Sequence, residues 1–221
     1  FSFFIIINSI QSQIDTLNAK KLDEVIIRSS RIDIPFSENS RNIRVISRND
    51  LISMNVVNLI ETFQKISGID VRQRGVNGTQ ADLYIRGGTF DQTLLLVDGF
   101  KLDDPQTGHH SLNLIVPIQL IERVEVIKGS AARVFGQNAF TGAINIVTID
   151  PAKSKSKIKF LKGLFNQNHF QGLLGNNILK SNSFSYYSYN ESDGYRYNTD
   201  FINKELFLKK KIFLKKIKLN F

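Results

Sequence analysis

Hydrophobic and polar positions follow one set of rhythms up to about residue 150 and another beyond it. Leu94-Leu95-Leu96-Val97 is a short apolar run closed by Asp98-Gly99. It predicts a buried strand entering a tight turn with positive φ, which glycine adopts at little steric cost. Arg123 to Ile127 alternates charged with apolar side chains as a half-buried strand does, and Ile144, Ile146 and Val147 form a β-branched run around Asn145. Ile43 to Ile46 and Leu83 to Ile85 read as further strands. Between those two, Ile52, Val56, Leu59, Ile60 and Phe63 share one face of a helix that Ser47 or Asn49 can cap and Gly68 can close. Strands at 83–85, 94–97, 123–127 and 144–147, joined by short turns and helical segments at Pro117 and Ser130, predict an α+β unit with a mixed four-stranded sheet.

From Lys157 onward the chain turns to Lys, Asn, Ser and aromatics. Strand-length runs lie near Ile158 to Phe165, Phe170 to Leu179, Phe184 to Asn190 and Phe201 to Leu214, parted by polar turns such as Lys180-Ser181-Asn182-Ser183. Phe184, Tyr186, Tyr187 and Tyr189 suit an aromatic girdle at a membrane interface, and the lysine-rich stretches suit a lumen or rim. A closed transmembrane barrel takes about 8 strands or more, so this stretch reads as an incomplete one. Chain ends inside apparent segments suggest a fragment.

Charge sharpens the division. Residues 1–150 hold 15 basic and 16 acidic side chains, while 151–221 hold 14 and 4, so the net +9 belongs to the C-terminal third. Cysteine is absent and histidine numbers three, which leaves no disulfide framework and gives no support to a zinc site. Phe1 to Ile7 followed by Ser9, Gln11, Ser12 and Gln13 resembles a signal peptide lacking its charged start. A later apolar stretch of about 20 residues, which a transmembrane helix needs, is missing, so membrane insertion would fall to strands.

Four blocks in order, Ile85-Arg86-Gly87-Gly88, Leu94 to Asp98-Gly99, Ile121-Glu122-Arg123-Val124-Glu125-Val126-Ile127-Lys128-Gly129 and Gly142 to Thr148, resemble the plug domain of TonB-dependent outer-membrane receptors. In that family a small mixed domain sits inside a large β-barrel, and energy from the inner membrane moves it so that a scarce nutrient can pass. The resemblance implies a truncated signal peptide over 1–20, a TonB box region over 21–30, an α+β plug over 31–150 and the first antiparallel barrel strands over 151–221. It places the protein in the cell outer membrane, in contact with its lipid. The partners implied are a TonB-like periplasmic energy-coupling protein and a small-molecule substrate, cobalamin or a ferric siderophore, with no enzyme activity and no cofactor. Ser192 to Phe201 resembles a barrel turn of cobalamin-receptor-like members.

Site residues follow from the same resemblance. Leu22, Asp23, Glu24, Val25, Ile26 and Ile27 resemble a TonB box, and an apolar β-branched stretch of this kind can add as a strand to another protein's sheet. The polar loops at 73–80 and 101–110 would face the substrate, with Asn77, Gln80, Asp104, Gln106, His109 and His110 as its contacts. Arg86, Glu122, Arg123, Glu125 and Arg133 form the charge set expected to tether plug to barrel through individually weak links. Lys128-Gly129-Ser130 departs from the family's usual Arg-Gly-Pro, so the bidentate fork of arginine is lost there. Two other function classes compete. A soluble α/β enzyme would use Asp98, Asp104 and His109 as acid and base groups, yet the chain has no nucleophile motif and no completed phosphate-binding glycine pattern. A nucleic-acid-binding protein would use Lys209-Lys210-Lys211 and Lys215-Lys216, without any accompanying recognition fold.

Overall fold

The computed structural model describes residues 26–27, 34–35, 43–56, 58–75, 79–102, 104, 106–107, 109, 112, 116–129, 135–178, 181–213 and 218–220. In chain order the strands are β1 (Ile26–Ile27), β2 (Ile34–Pro35), β3 (Ile43–Ser47), β4 (Ile69–Gln73), β5 (Ala81–Ile85), β6 (Thr93–Val97), β7 (Phe100–Leu102), β8 (Ile121–Lys128) and β9 (Gly142–Thr148). They continue as β10 (Lys157–Lys162), β11 (Asn168–Ile178), β12 (Ser181–Ser192), β13 (Phe201–Phe213) and β14 (Lys218–Asn220). Two helices, α1 (Arg48–Ser53) and α2 (Leu59–Gln64), lie between β3 and β4. Among the described residues neither is long and apolar enough to cross a membrane.

The predicted four-stranded sheet is a five-stranded one in the order β3-β8-β9-β6-β7. It is mixed, because β6 and β9 run parallel while the other neighbours are antiparallel. The expected member 83–85 is not in it. β5 pairs instead with β4, Ile69 opposite Ile85, as a separate two-stranded ribbon. Local pattern marks a strand but does not choose its neighbour. β6 and β7 are joined at Asp98 (φ 51) and Gly99 (φ 86), with Val97 facing Phe100, so the Asp-Gly pair makes the two-residue turn its sequence predicts.

The single predicted helix is broken in two. Ser47 caps α1 with a full capping box, its hydroxyl accepting from the Asp50 N–H while the Asp50 carboxylate takes the Ser47 N–H at 2.8 Å. The Ser47 hydroxyl, which also donates to the Asp50 carboxylate at 2.7 Å, and then the Ser47 N–H hold the Asp50 carboxyl below its ordinary value. Asn55 then takes φ 47, which stops α1, and the Asn58 side chain accepts from Glu61 N–H at 2.8 Å to start α2. Ile52, expected on the core face, is exposed, and Leu51 is buried in its place. Leu59, Ile60 and Phe63 do reach the core, against Ile46, Val124, Val126, Ile144 and Ile146 from one face of the sheet. Gly68 (φ 80) lies past the helix end, in the turn that leads to β4.

β10 to β14 form a second, antiparallel sheet in simple sequence order. Its registers set Leu173 opposite Tyr186 and Tyr186 opposite Phe207, so these three share the face turned to the first sheet, where Phe184 and Tyr186 join the core. Ile158, Phe160, Leu174, Tyr187, Leu206 and Leu208 occupy the other face and are exposed. The girdle expectation therefore divides by the period of two: Tyr187 points outward, whereas Phe184 and Tyr186 are interior. Pro151–Lys153, a single 3-10 turn, links the sheets. Gly175 is required beside it, because a Cβ there would stand 2.7 Å from the Ser154 carbonyl oxygen.

Candidate functional site

Three groups of side chains carry the arrangement: a polar seam between the two sheets, a buried carboxylate network inside the first, and a set of loops gathered on β5. The seam begins at the Asp98-Gly99 turn. The Asp98 carboxylate accepts the N–H and hydroxyl of Thr148 at 2.8 and 2.6 Å, and the ammonium of Lys209 on β13 at 2.8 Å. Lys209 also donates to the Thr148 hydroxyl. Two residues further along β13, on the same face, Lys211 donates to Asp150. Burial raises the Asp150 carboxyl, but hydrogen bonds from Lys211 and the Ala152 N–H outweigh it and hold the group below its ordinary value. Beside these links, Phe184 stacks on Phe207 at 5.9 Å between centroids. Apolar packing and two lysine links thus hold one sheet on the other.

The described members of the tether set expected from the sequence lie on β8 and in the turn after β5. Glu125 is fully buried and accepts from Arg123 Nε at 2.8 Å and from Asn145 Nδ2 at 2.9 Å. Asn145 Oδ1 in turn accepts the Gly99 N–H at 3.0 Å, which ties this network to the turn that carries Asp98. Arg123 and Glu125 are thus bonded to each other within the first sheet. Glu122 is half-buried on the same strand, and Arg86, at φ 52, sits beside the Gly87-Gly88 turn without an ion pair among the described residues. Lys128, where arginine was the family's usual residue, donates to the Ser67 carbonyl and so closes β8 onto the turn before β4. Arg133 lies outside the described residues.

Of the six expected substrate contacts, Gln80 and His109 come together. Gln80 Nε2 donates to Asp82 at 3.2 Å, and His109 Nδ1 lies 2.8 Å from the same carboxylate. In the loop that holds Asp104 and Gln106, Asp104 accepts from the N–H groups of Gln106 and Thr107 and from the Thr107 hydroxyl. Asn77 and His110 fall outside the described residues, as do Leu22 to Val25. Ile26 and Ile27 pair antiparallel with Ile34 and Pro35. The proposed acid and base groups of an enzyme are scattered: Asp98 is bonded to Thr148 and Lys209, Asp104 to its own turn, and His109 to Asp82.

Sequence reasoning missed Asp82, Asp150 and Thr148. The signal for Asp82 was a lone acid in the otherwise apolar-aromatic run Ala81 to Ile85. Thr148 and Asp150 close β9, a place where polarity is ordinary and marks nothing.

Residues 35–143 match the family model described as TonB-dependent Receptor Plug Domain. The chain is 31% identical over 199 residues to a vitamin B12 transporter BtuB of Vibrio vulnificus strain YJ016, covering 86% of this chain and 32% of that protein. A second, from strain CMCP6, is 32% identical over 153 residues, covering 68% of this chain and 25% of the relative. The chain thus spans a third or less of the length of these relatives. Among solved structures, the pyoverdine outer-membrane receptor FpvA of Pseudomonas aeruginosa PAO1 superposes with a TM-score of 0.71 at 15% identity, covering 88% of this chain and 29% of that one. The siderophore receptor PirA of Acinetobacter baumannii gives 0.57 at 20% identity, covering 77% and 29%. Matched family, matched relatives and a plug-like sheet seated on the inner face of consecutive antiparallel strands agree: the chain belongs to the TonB-dependent receptors, as a plug domain followed by strands of the barrel.

Proposed function

We propose that this chain is the N-terminal part of an outer-membrane transporter that takes up cobalamin by energy coupling through a TonB-like periplasmic protein. The observation that carries the reading is the seam. A plug held by two lysine links and a patch of aromatic packing, on strands whose other face exposes Ile158, Phe160, Leu174, Leu206 and Leu208, suits a body that must be seated in a membrane wall and yet be moved. Links of this kind between partly exposed groups are individually modest, so a pull can release them. Cobalamin is favoured over a ferric siderophore because the relatives at 31–32% identity are named vitamin B12 transporters, whereas the siderophore receptors share the fold at 15–20%.

Residues 22–27 are proposed as the strand that adds to the coupling protein, and Gln80 and His109 as substrate contacts on the outer side. Uptake of radiolabelled cyanocobalamin by cells whose only such receptor is the intact protein tests the reading, with a labelled ferric siderophore in parallel. Uptake that requires the coupling protein is expected for cobalamin. Substituting Val25→Pro removes one backbone N–H and fixes φ, so it should abolish uptake and leave cyanocobalamin binding unchanged. Unimpaired uptake by that variant would remove the energy-coupling role of this segment.

A further inference from the structure

Asp82 is a buried acid that neither the sheet nor the seam uses. Its side chain is 1% exposed and is approached from three stretches of chain. Gln80 donates to both of its oxygens at 3.4 and 3.2 Å, the Arg74 guanidinium lies 3.8 Å away, and His109 Nδ1 sits at 2.8 Å. Phe90, from the turn after β5, covers the His109 ring at 4.1 Å between centroids and a 30° tilt. The loop closed by the Arg74 N–H on the Gln80 carbonyl and the loop holding His109 therefore meet on one carboxylate, and the Phe90 turn covers the ring that reaches it.

An ionised carboxylate accepts only, so the hydrogen of this contact belongs to Nδ1. A neutral imidazole with its proton on Nδ1 has a lone pair on Nε2, and the partner of one ring nitrogen sets the role of the other. Nε2 has no partner among the described residues, and 34% of the side chain is open to solvent. We infer that Asp82 is a positioning residue of the ligand site: through Nδ1 it fixes His109 in one tautomer and one orientation, with Nε2 as the acceptor for a carboxamide N–H of a corrinoid. Corrinoids carry such amides around their rim, and the inference rests on the function proposed above.

Two measurements on the intact receptor in detergent test it. Nitrogen-15 NMR of labelled histidine, recorded on the neutral ring and assigned with His109→Ala, should show the proton on Nδ1. In Asp82→Ala, and in the isosteric Asp82→Asn should the first fail to fold, the population should move toward the Nε2–H form. Equilibrium binding of cyanocobalamin should weaken up to about tenfold in Asp82→Ala and in His109→Ala, the effect of losing one neutral hydrogen bond. The double variant should be no weaker than His109→Ala alone, because the acid acts through the ring. A proton on Nε2 in the wild type, or a tautomer unmoved in both Asp82 variants, overturns the positioning role whatever the ligand. Wild-type protein that fails to bind cyanocobalamin overturns the corrinoid contact and the proposed substrate together, while the NMR result decides the role of Asp82 on its own.

Discussion

Lys209 and Lys210 are neighbours in sequence with opposite surroundings. Lys209 bonds Asp98 and Thr148 at the seam, and Lys210, one residue on, faces away and is exposed. Replacing Lys209 by Met leaves Asp98 with its Thr148 donors but without its cation. The loss should be about 1 kcal/mol, the upper end for a partly exposed ion pair. Lys210→Met should stay within about 0.5 kcal/mol. Denaturant unfolding of the receptor in detergent checks the pair, and equal effects would show that the seam link contributes nothing. At Asp150 the folded-state carboxyl sits below its ordinary value, chiefly because Lys211 outweighs burial. Its stabilisation is therefore complete above the unfolded value of about 3.9 and is lost as pH falls through the lower folded value. An unfolding midpoint followed from pH 7 to pH 2 should drop below about pH 4 in the wild type, and less steeply in Asp150→Asn.

Two inward residues of β12, Phe184 and Tyr186, do for the second sheet what the seam links do for single groups. Phe184→Ala removes a ring that is 2% exposed and stacked on Phe207, and should cost about 3–5 kcal/mol, whereas exposed Phe160 on β10 should cost far less as Ala in detergent. Thermal unfolding of the two variants side by side makes the comparison. This contrast also shows which part of the fold could be read from the sequence. Strands at 94–97, 123–127 and 144–147 declare themselves through runs and alternation that are local properties, and all three are present. Alternation names two faces without saying which is inside, so the aromatics of β12 could be assigned to a girdle as readily as to a core. Which neighbour β5 takes, and where the helix breaks, depend on contacts distant in sequence and on the positive φ of Asn55. Arg123 and Glu125 were legible as a charged pair, but their alternation along β8 is the same whether they face a partner wall or one another.

The molecule as a whole presents two surfaces of opposite kind on one sheet. Leu206 and Leu208 point outward between the inward side chains of Glu205, Phe207 and Lys209. If the outward row meets lipid, Leu206→Arg in the intact receptor should cost about 2–4 kcal/mol near the bilayer midplane. Unfolding in lipid vesicles measures it, and a negligible cost would place that row elsewhere. On the inner side, the first sheet has β3 at one edge, bonded among the described residues to β8 alone, through the five pairs from Ile43 with Ile127 to Ser47 with Arg123. β3 is the first strand of this sheet in chain order, while Asp98 and Asp150 anchor side by side, at the β6–β7 turn and just past the C-terminal end of β9. A load applied to the N-terminal segment therefore reaches a peripheral strand before either anchor, and that strand can be peeled one pair at a time. Rupture then has an order built into the topology. The margin yields first and exposes Ile46, and the two lysine links, side by side at one end of β9, are loaded only afterwards. Under the coupling proposed above, one side of the plug would then give way before the whole is released.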